Sequence, residues 1–289
     1  MLELDVGGER FAALELGAAT GRPCVYLHGF PDHPPTATPF LAELAARGHR
    51  VLAPWLRGYR PSPVVGRFDL ESLAGDVAAL VDRWVGPGRV DVIGHDWGAA
   101  LAYVLCAVMP ERVGRAVTLA LPHPLTFLRR LGIAAQARRS WYLALFQLPG
   151  SGALARVRDL ALIDRLWRTW SPGFTLDADR RTTLHACLAD SLPAPLLYYR
   201  AIARPVVGFR ARLRRLTPPI TVPVLQLHGA DDGCVVPLAA PDARRFAAAY
   251  RYDVIDGVGH FLHLERPHEI AAAASAWLSE RDPVVSARS

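Results

Sequence analysis

The 289-residue chain contains no lysine and no asparagine; all 33 of its basic residues are arginine. Without lysine there is no Schiff-base nucleophile and no P-loop lysine to cradle a phosphate. Without asparagine, one common side-chain amide is missing from every site. Its four cysteines, Cys24, Cys106, Cys187 and Cys234, lie far apart and form no CxxC pair. A zinc site or dithiol redox motif is therefore not expected, and no metal is assigned. Three of them sit in or beside apolar segments and read as buried, reduced thiols. No run of eighteen apolar residues occurs, so no membrane span is expected. The opening MLELDVGGER lacks a basic stretch followed by an apolar one, so no secretory leader is expected and a cytoplasmic location is.

What is present suits a sizeable folded core. The chain is 51% hydrophobic and 21% charged, too apolar for long disorder. Its formal net charge is +6. Arginines cluster at Arg129, Arg130, Arg138 and Arg139, and again from Arg204 to Arg215. No RNA- or DNA-binding motif accompanies them, so they read as solvated faces, and nucleic acid is not an expected partner.

Two regions alternate strand and helix signals. In the first, FAALELG and PCVYLHG read as strands, TPFLAELAARG as a helix ended by Gly48, and RVLAPWL as a strand. The helix DLESLAGDVAALVDRWVG, with acidic residues in its first turn, the strand RVDVIG, the helix WGAALAYVLCAVM and the strand RAVTLAL follow. In the second region, VPVLQLHG is a strand, LAAPDARRFAAAY a helix, YRYDVID a strand and HEIAAAASAWLSE the closing helix. Short apolar strands alternating with helices predict an α/β fold, a mostly parallel sheet covered on both faces. Between the regions, residues 122–216 lose strand signals and gain arginine, tryptophan and tyrosine. They read as a helical cap inserted after the sixth main strand, with residues 1–121 and 217–289 forming the core. Ligands of open parallel sheets bind at the carboxyl ends of the strands, where such an insertion would form a lid.

The segment VIGHDWGAA, residues 92–100, places Asp96 in a strand–turn–helix. Many hydrolases carry a serine in this turn, as G-x-S-x-G; here a carboxylate holds the middle. The competing reading is that Asp96 merely caps the helix. VGHF, residues 258–261, follows the last strand and offers His260. HGADDG, after VPVLQL, offers Asp231 or Asp232 to orient that histidine, with Asp232 favoured. The order nucleophile, acid, histidine is that of α/β-hydrolases. YLHGFP, residues 26–31, can bring the Phe30 N–H beside that of Trp97, two donors for an oxyanion hole.

HGFP, GHDWG, G-x-x-D and GHF, in this order and spacing, resemble the epoxide hydrolase branch of the α/β-hydrolase superfamily. The resemblance spans nearly the whole chain, including RGYRPS at 57–62. It departs at Arg60, at Trp55 where an aspartate is frequent, and at Ala99 where a glycine is usual. The resemblance implies two lid tyrosines that hydrogen-bond the epoxide oxygen. WYLALFQLPG marks Tyr142, and APLLYYRA marks Tyr199 rather than Tyr198. His28, Pro31, Trp97, Trp141 and Phe146, in the same motifs, are the expected substrate contacts. The implied reaction opens an apolar or aromatic epoxide, as in detoxification, with water, through an Asp96 ester and without a cofactor. A homodimer is compatible with it. Haloalkane dehalogenases share much of this frame, but their usual asparagine donor falls at Phe30. A non-catalytic binding protein of the same fold is the other alternative; a serine esterase is disfavoured at an elbow without serine.

Overall fold

A computed structural model describes residues 1–203 and 209–280. Arg204, in the second arginine cluster, and residues 281–289, assigned to the core, lie outside them. Eight strands form one sheet. They are β1 (Leu2–Val6), β2 (Glu9–Leu16), β3 (Arg22–Leu27), β4 (His49–Pro54), β5 (Val90–His95), β6 (Val113–Leu119), β7 (Val224–Gly229) and β8 (Tyr250–Ile255). Their order is β1-β2-β4-β3-β5-β6-β7-β8. The β1–β2 and β2–β4 pairs are antiparallel and the other five are parallel. This is the α/β-hydrolase fold expected from the sequence.

Helices α1 (Thr38–Ala46), α2 (Leu70–Val85) and α3 (Trp97–Val108) follow β3, β4 and β5. Helix α2 shows how the sequence builds them. Leu73, Val77, Leu80, Val81 and Trp84 repeat at helical spacing and are buried. The Asp69 carboxylate accepts the Ser72 N–H at 3.1 Å and caps its start. Helix α3 is buried nearly all round, from Trp97 to Cys106, because it lies against β3, β5 and β6. Between β6 and β7 come α4 (Pro124–Arg130), α5 (Ala134–Arg139), α6 (Trp141–Gln147), α7 (Ser151–Trp170), α8 (Ala178–Ser191), α9 (Ala194–Ala203) and α10 (Phe209–Leu216). The chain closes with α11 (Leu262–Glu265) and α12 (Pro267–Ser279), the latter packed on α1 and β6.

Three expectations need correction. Strand β1 was not visible as an element; it pairs with β2 through a turn at Gly7 and Gly8, both at positive φ. The helix expected over LAAPDARRFAAAY shrinks to a single 3-10 turn, Ala243–Arg245. Pro241 cannot donate to a helix, and Phe246 bridges to Ile220 in extended form. The first arginine cluster is not simply solvated. Arg130 donates to the carbonyls of Val236 and Pro237, and Arg139 to that of Asp232.

Strand order reverses between β3 and β5: β4 lies on one side of β3, and β5 and β6 on the other. The loops leaving β3 and β5, HGFP and HDWG, therefore meet at the sheet's switch point, where the carboxyl ends of strands leave a crevice.

Candidate active site

Strand β5 delivers Asp96 to the crevice through a sharp turn. Its backbone stands at φ 52 and ψ −115, a left-handed conformation that an L-residue holds only at a cost. Gly94 and Gly98 make the turn fit. A Cβ on Gly98 would lie 1.9 Å from the Leu27 carbonyl oxygen, and one on Gly94 would lie 2.1 Å from the Gly98 carbonyl oxygen. The Asp96 side chain makes no capping hydrogen bond to α3, which removes the helix-cap reading. Instead its Oδ1 accepts the Phe30 N–H at 3.0 Å, and its Oδ2 lies 3.5 Å from His260 Nε2. The second expected donor, the Trp97 N–H, makes no hydrogen bond to Asp96 among the described residues.

His260 is fully buried on the loop after β8. Its N–H donates to the Trp170 carbonyl at 3.0 Å, and its Nδ1 lies 2.9 Å from Asp232 Oδ2. Of the two candidate acids, Asp231 is exposed and Asp232 fully buried. Asp232 Oδ1 accepts the N–H groups of Cys234 and Val235 at 2.7 and 2.8 Å. His228 Nε2, 3.1 Å from Asp232 Oδ2, adds a contact not foreseen. Burial opposes charge on both members of the pair. On His260 the nearby Asp232 and Asp96 carboxylates outweigh it and raise its pKa to about 10. On Asp232 the imidazole and His228 outweigh it and hold the carboxyl well below its usual range.

Asp96 opens onto a cavity whose wall includes Trp97, Tyr142, Tyr198 and Tyr199. The hydroxyls of the three tyrosines are differently engaged. Tyr198 donates to the Arg57 carbonyl and is turned away. Tyr142 lies 3.3 Å from Cys234 Sγ. The Tyr199 hydroxyl is buried beside the Trp97 side chain, and its proton has no acceptor among the described residues. Tyr142 and Tyr199 meet edge to face, their ring centroids 5.7 Å apart. Burial first, and nearby negative charge after it, push both phenol pKa values well above the ordinary range, so both stay protonated.

Four of the expected substrate contacts are not on this wall. His28 is spent on backbone: Nε2 accepts the Leu56 N–H at 3.2 Å and Nδ1 meets the Gly29 carbonyl at 2.9 Å. Trp141 points outward, 40% exposed, with Arg165 over its ring. The Pro31 carbonyl accepts the Trp167 indole N–H at 3.1 Å. Phe146 is packed behind Phe30 and Tyr199.

Cys234 was not foreseen as part of this region. Position was the available clue: it falls two residues after Asp232. Donor atoms of Asp96, Cys234 and His260 lie within 4.8 Å of one another, as do those of Asp32, His95 and His263. These are the two buried groups, among the described residues, with donors close enough to share a cation. In the second group, burial pushes His95 down to about 3 and Asp32 up to about 7.

The profile of the alpha/beta hydrolase family matches residues 24–273. Epoxide hydrolase A of Mycobacterium tuberculosis is 28% identical over 96% of each chain. The solved structure of Epoxide Hydrolase A from Mycobacterium thermoresistibile is 25% identical, covers 96% of this chain and 97% of its own, and has a TM-score of 0.80. The Bacillus megaterium epoxide hydrolase, solved in complex with an inhibitor, shares the fold at a TM-score of 0.85 and 22% identity, over 96% of this chain and 100% of its own.

Proposed function

This chain belongs to the alpha/beta hydrolase family, and from that premise we propose that it hydrolyses an apolar or aromatic epoxide to a vicinal diol. The observation that carries this reading is a carboxylate where a serine hydroxyl would act, 3.5 Å from a buried imidazole and facing a cavity with two protonated tyrosines. Helices α4 to α10 serve as the lid, residues 122–216 acting as a cap on the core formed by 1–121 and 217–289.

The choice of aspartate follows from the electrophile. A serine oxygen on saturated carbon would leave an ether, which water does not readily cleave. A carboxylate leaves an ester whose carbonyl belongs to the protein, and a second attack there regenerates it. Asp96 forms a bond to a ring carbon as the ring C–O bond breaks, and the electron pair passes to the ring oxygen. Tyr142 and Tyr199 hydrogen-bond that oxygen and supply its proton; such assistance contributes roughly 10²–10⁴-fold.

Ester formation neutralises Asp96 and so removes one of the two carboxylates that hold the proton on His260. The imidazolium gives up that proton to restore the tyrosine, and the neutral ring becomes a base. It takes a proton from water as hydroxide adds to the Asp96 carbonyl carbon. The Phe30 and Trp97 N–H groups stabilise the oxyanion, each worth roughly 3 kcal/mol. Collapse expels the diol, which takes the proton back; the proton left on the Asp96 carboxyl returns to His260. Epoxide and water are consumed, and no cofactor takes part.

Phe30 supports this reading over dehalogenation. Its side chain has no N–H for a departing halide, and it is packed against Phe146 and Tyr199. A single turnover in H₂¹⁸O tests the mechanism. The label should enter the Asp96 carboxylate first; label found in the diol while Asp96 stays unlabelled would mean direct attack by water and end the ester mechanism.

A further inference from the structure

The wall of the cavity in front of Asp96 includes Tyr142, Leu143 and Val235 but neither Phe30 nor Phe146. It runs along Phe68, Leu121, Phe127, Leu128, Ile202 and Leu216, beside Trp97. Phe30, whose N–H donates to Asp96 Oδ1 at 3.0 Å, and Phe146 have 0% exposure. Their rings meet edge to face with centroids 5.4 Å apart, and both pack against Tyr199, at 5.5 and 5.0 Å. Trp170 and His260 fill the neighbouring space, with ring centroids 5.2 Å apart. An alkyl group placed there must displace packed aromatic rings, and close-packed interiors resist that.

An epoxide held between Asp96 and the two tyrosines has two ring carbons, whose substituents leave along diverging directions. Only one of those directions has room. Resting on the epoxide-opening function argued above, we propose that this protein takes terminal epoxides carrying a single apolar chain or aryl group. The group lies along the Phe127–Leu216 side, and the packed Phe30–Phe146 pair excludes epoxides substituted on both carbons.

The test compares styrene oxide with trans-β-methylstyrene oxide, which differ by one methyl on the second carbon. The expected kcat/KM is roughly 10–200-fold higher for styrene oxide, the range one such group commands in a tight pocket. Ratios within about threefold would overturn the proposal. Intrinsic reactivity is separated from fit by Phe146→Ala, or by Phe146→Leu if the first variant does not fold. Either should open space beside Phe30 and narrow the ratio by about tenfold; a folded variant with an unchanged ratio also overturns it. Turnover of neither compound, nor of 1,2-epoxyoctane, would instead strike at the epoxide-opening function itself.

Discussion

His260 Nδ1 lies 2.9 Å from Asp232 Oδ2, with both side chains fully buried. Burying two charges is costly, and only their mutual attraction with further hydrogen bonds offsets it. Asp232 has those bonds, from the Cys234 and Val235 N–H groups. His260 has a second carboxylate instead, that of Asp96, facing its other nitrogen.

A pH dependence of stability follows. The pKa of His260 is raised, to about 10 in the folded protein, against about 6.5 when unfolded. Its contribution is therefore full below about pH 6.5, declines as pH rises, and is gone above about pH 10. The depressed Asp232 pKa acts at the other end: its contribution is present above about pH 4 and is lost as pH falls through the folded value. Urea unfolding at pH 6.5 and 9.5 should show the wild type losing a few kcal/mol across that interval, in the ~1.4 kcal/mol-per-unit proportion of linkage. His260→Gln should lose markedly less. Equal losses in the two proteins would show that the fold does not hold the imidazolium.

Removal of the imidazole should separate the two chemical steps. His260→Gln keeps the Asp96 nucleophile and lacks the base for ester hydrolysis. Incubated with styrene oxide, it should accumulate an adduct on the peptide carrying Asp96, with a mass increase equal to the substrate. Asp96→Ala should show neither adduct nor turnover. Free turnover by His260→Gln without an adduct would remove His260 from the base role.

The two lid tyrosines should not be equivalent. The Tyr142 hydroxyl is already near Cys234 Sγ, whereas the proton of Tyr199 has no acceptor among the described residues. Tyr199→Phe is therefore expected to lower kcat/KM more than Tyr142→Phe. The double variant should fall by roughly 10²–10⁴-fold, read in pre-steady-state ester formation. A double variant that forms the ester at the wild-type rate would leave the ring oxygen without its proposed acid.

How much of this was legible before coordinates depended on the range of the interaction. Strand β5, the turn at Asp96 and helix α3 are contiguous in sequence, Val90–Val108, and the family's spacing brought His260 and Asp232 to the same site. Strand β1 escaped because its alternation, with Leu2 and Leu4 against exposed Glu3 and Asp5, spans only five residues on a sheet edge. The packed state of Phe146, the outward face of Trp141 and the backbone duties of His28 were equally hidden. Each is decided by long-range neighbours, such as Phe30, Arg165 and Leu56, that no local pattern announces. Tyr198 and Tyr199 were separable only through resemblance; in the structure the Arg57 carbonyl takes the Tyr198 hydroxyl.

The nucleophile turn should also tolerate no side chain at its second glycine. Gly98→Ala would place a Cβ 1.9 Å from the Leu27 carbonyl oxygen and 2.8 Å from that of His28, backbone atoms at the end of β3 and the start of the loop that follows it. Neither can yield without shifting β3 or the loop that carries Phe30. The expected cost is about 3 kcal/mol or more. Gly75 provides the opposite case. It is exposed in α2, and nothing lies within 4 Å of a Cβ built on it. Gly75→Ala should therefore stabilise the protein by roughly 0.5–1 kcal/mol, since alanine loses less backbone freedom in a helix. Denaturant midpoints of the two variants, measured side by side, should move in opposite directions. A Gly98→Ala protein as stable as wild type would mean that the turn is looser than this close approach requires, and with it the position assigned to the Asp96 carboxylate.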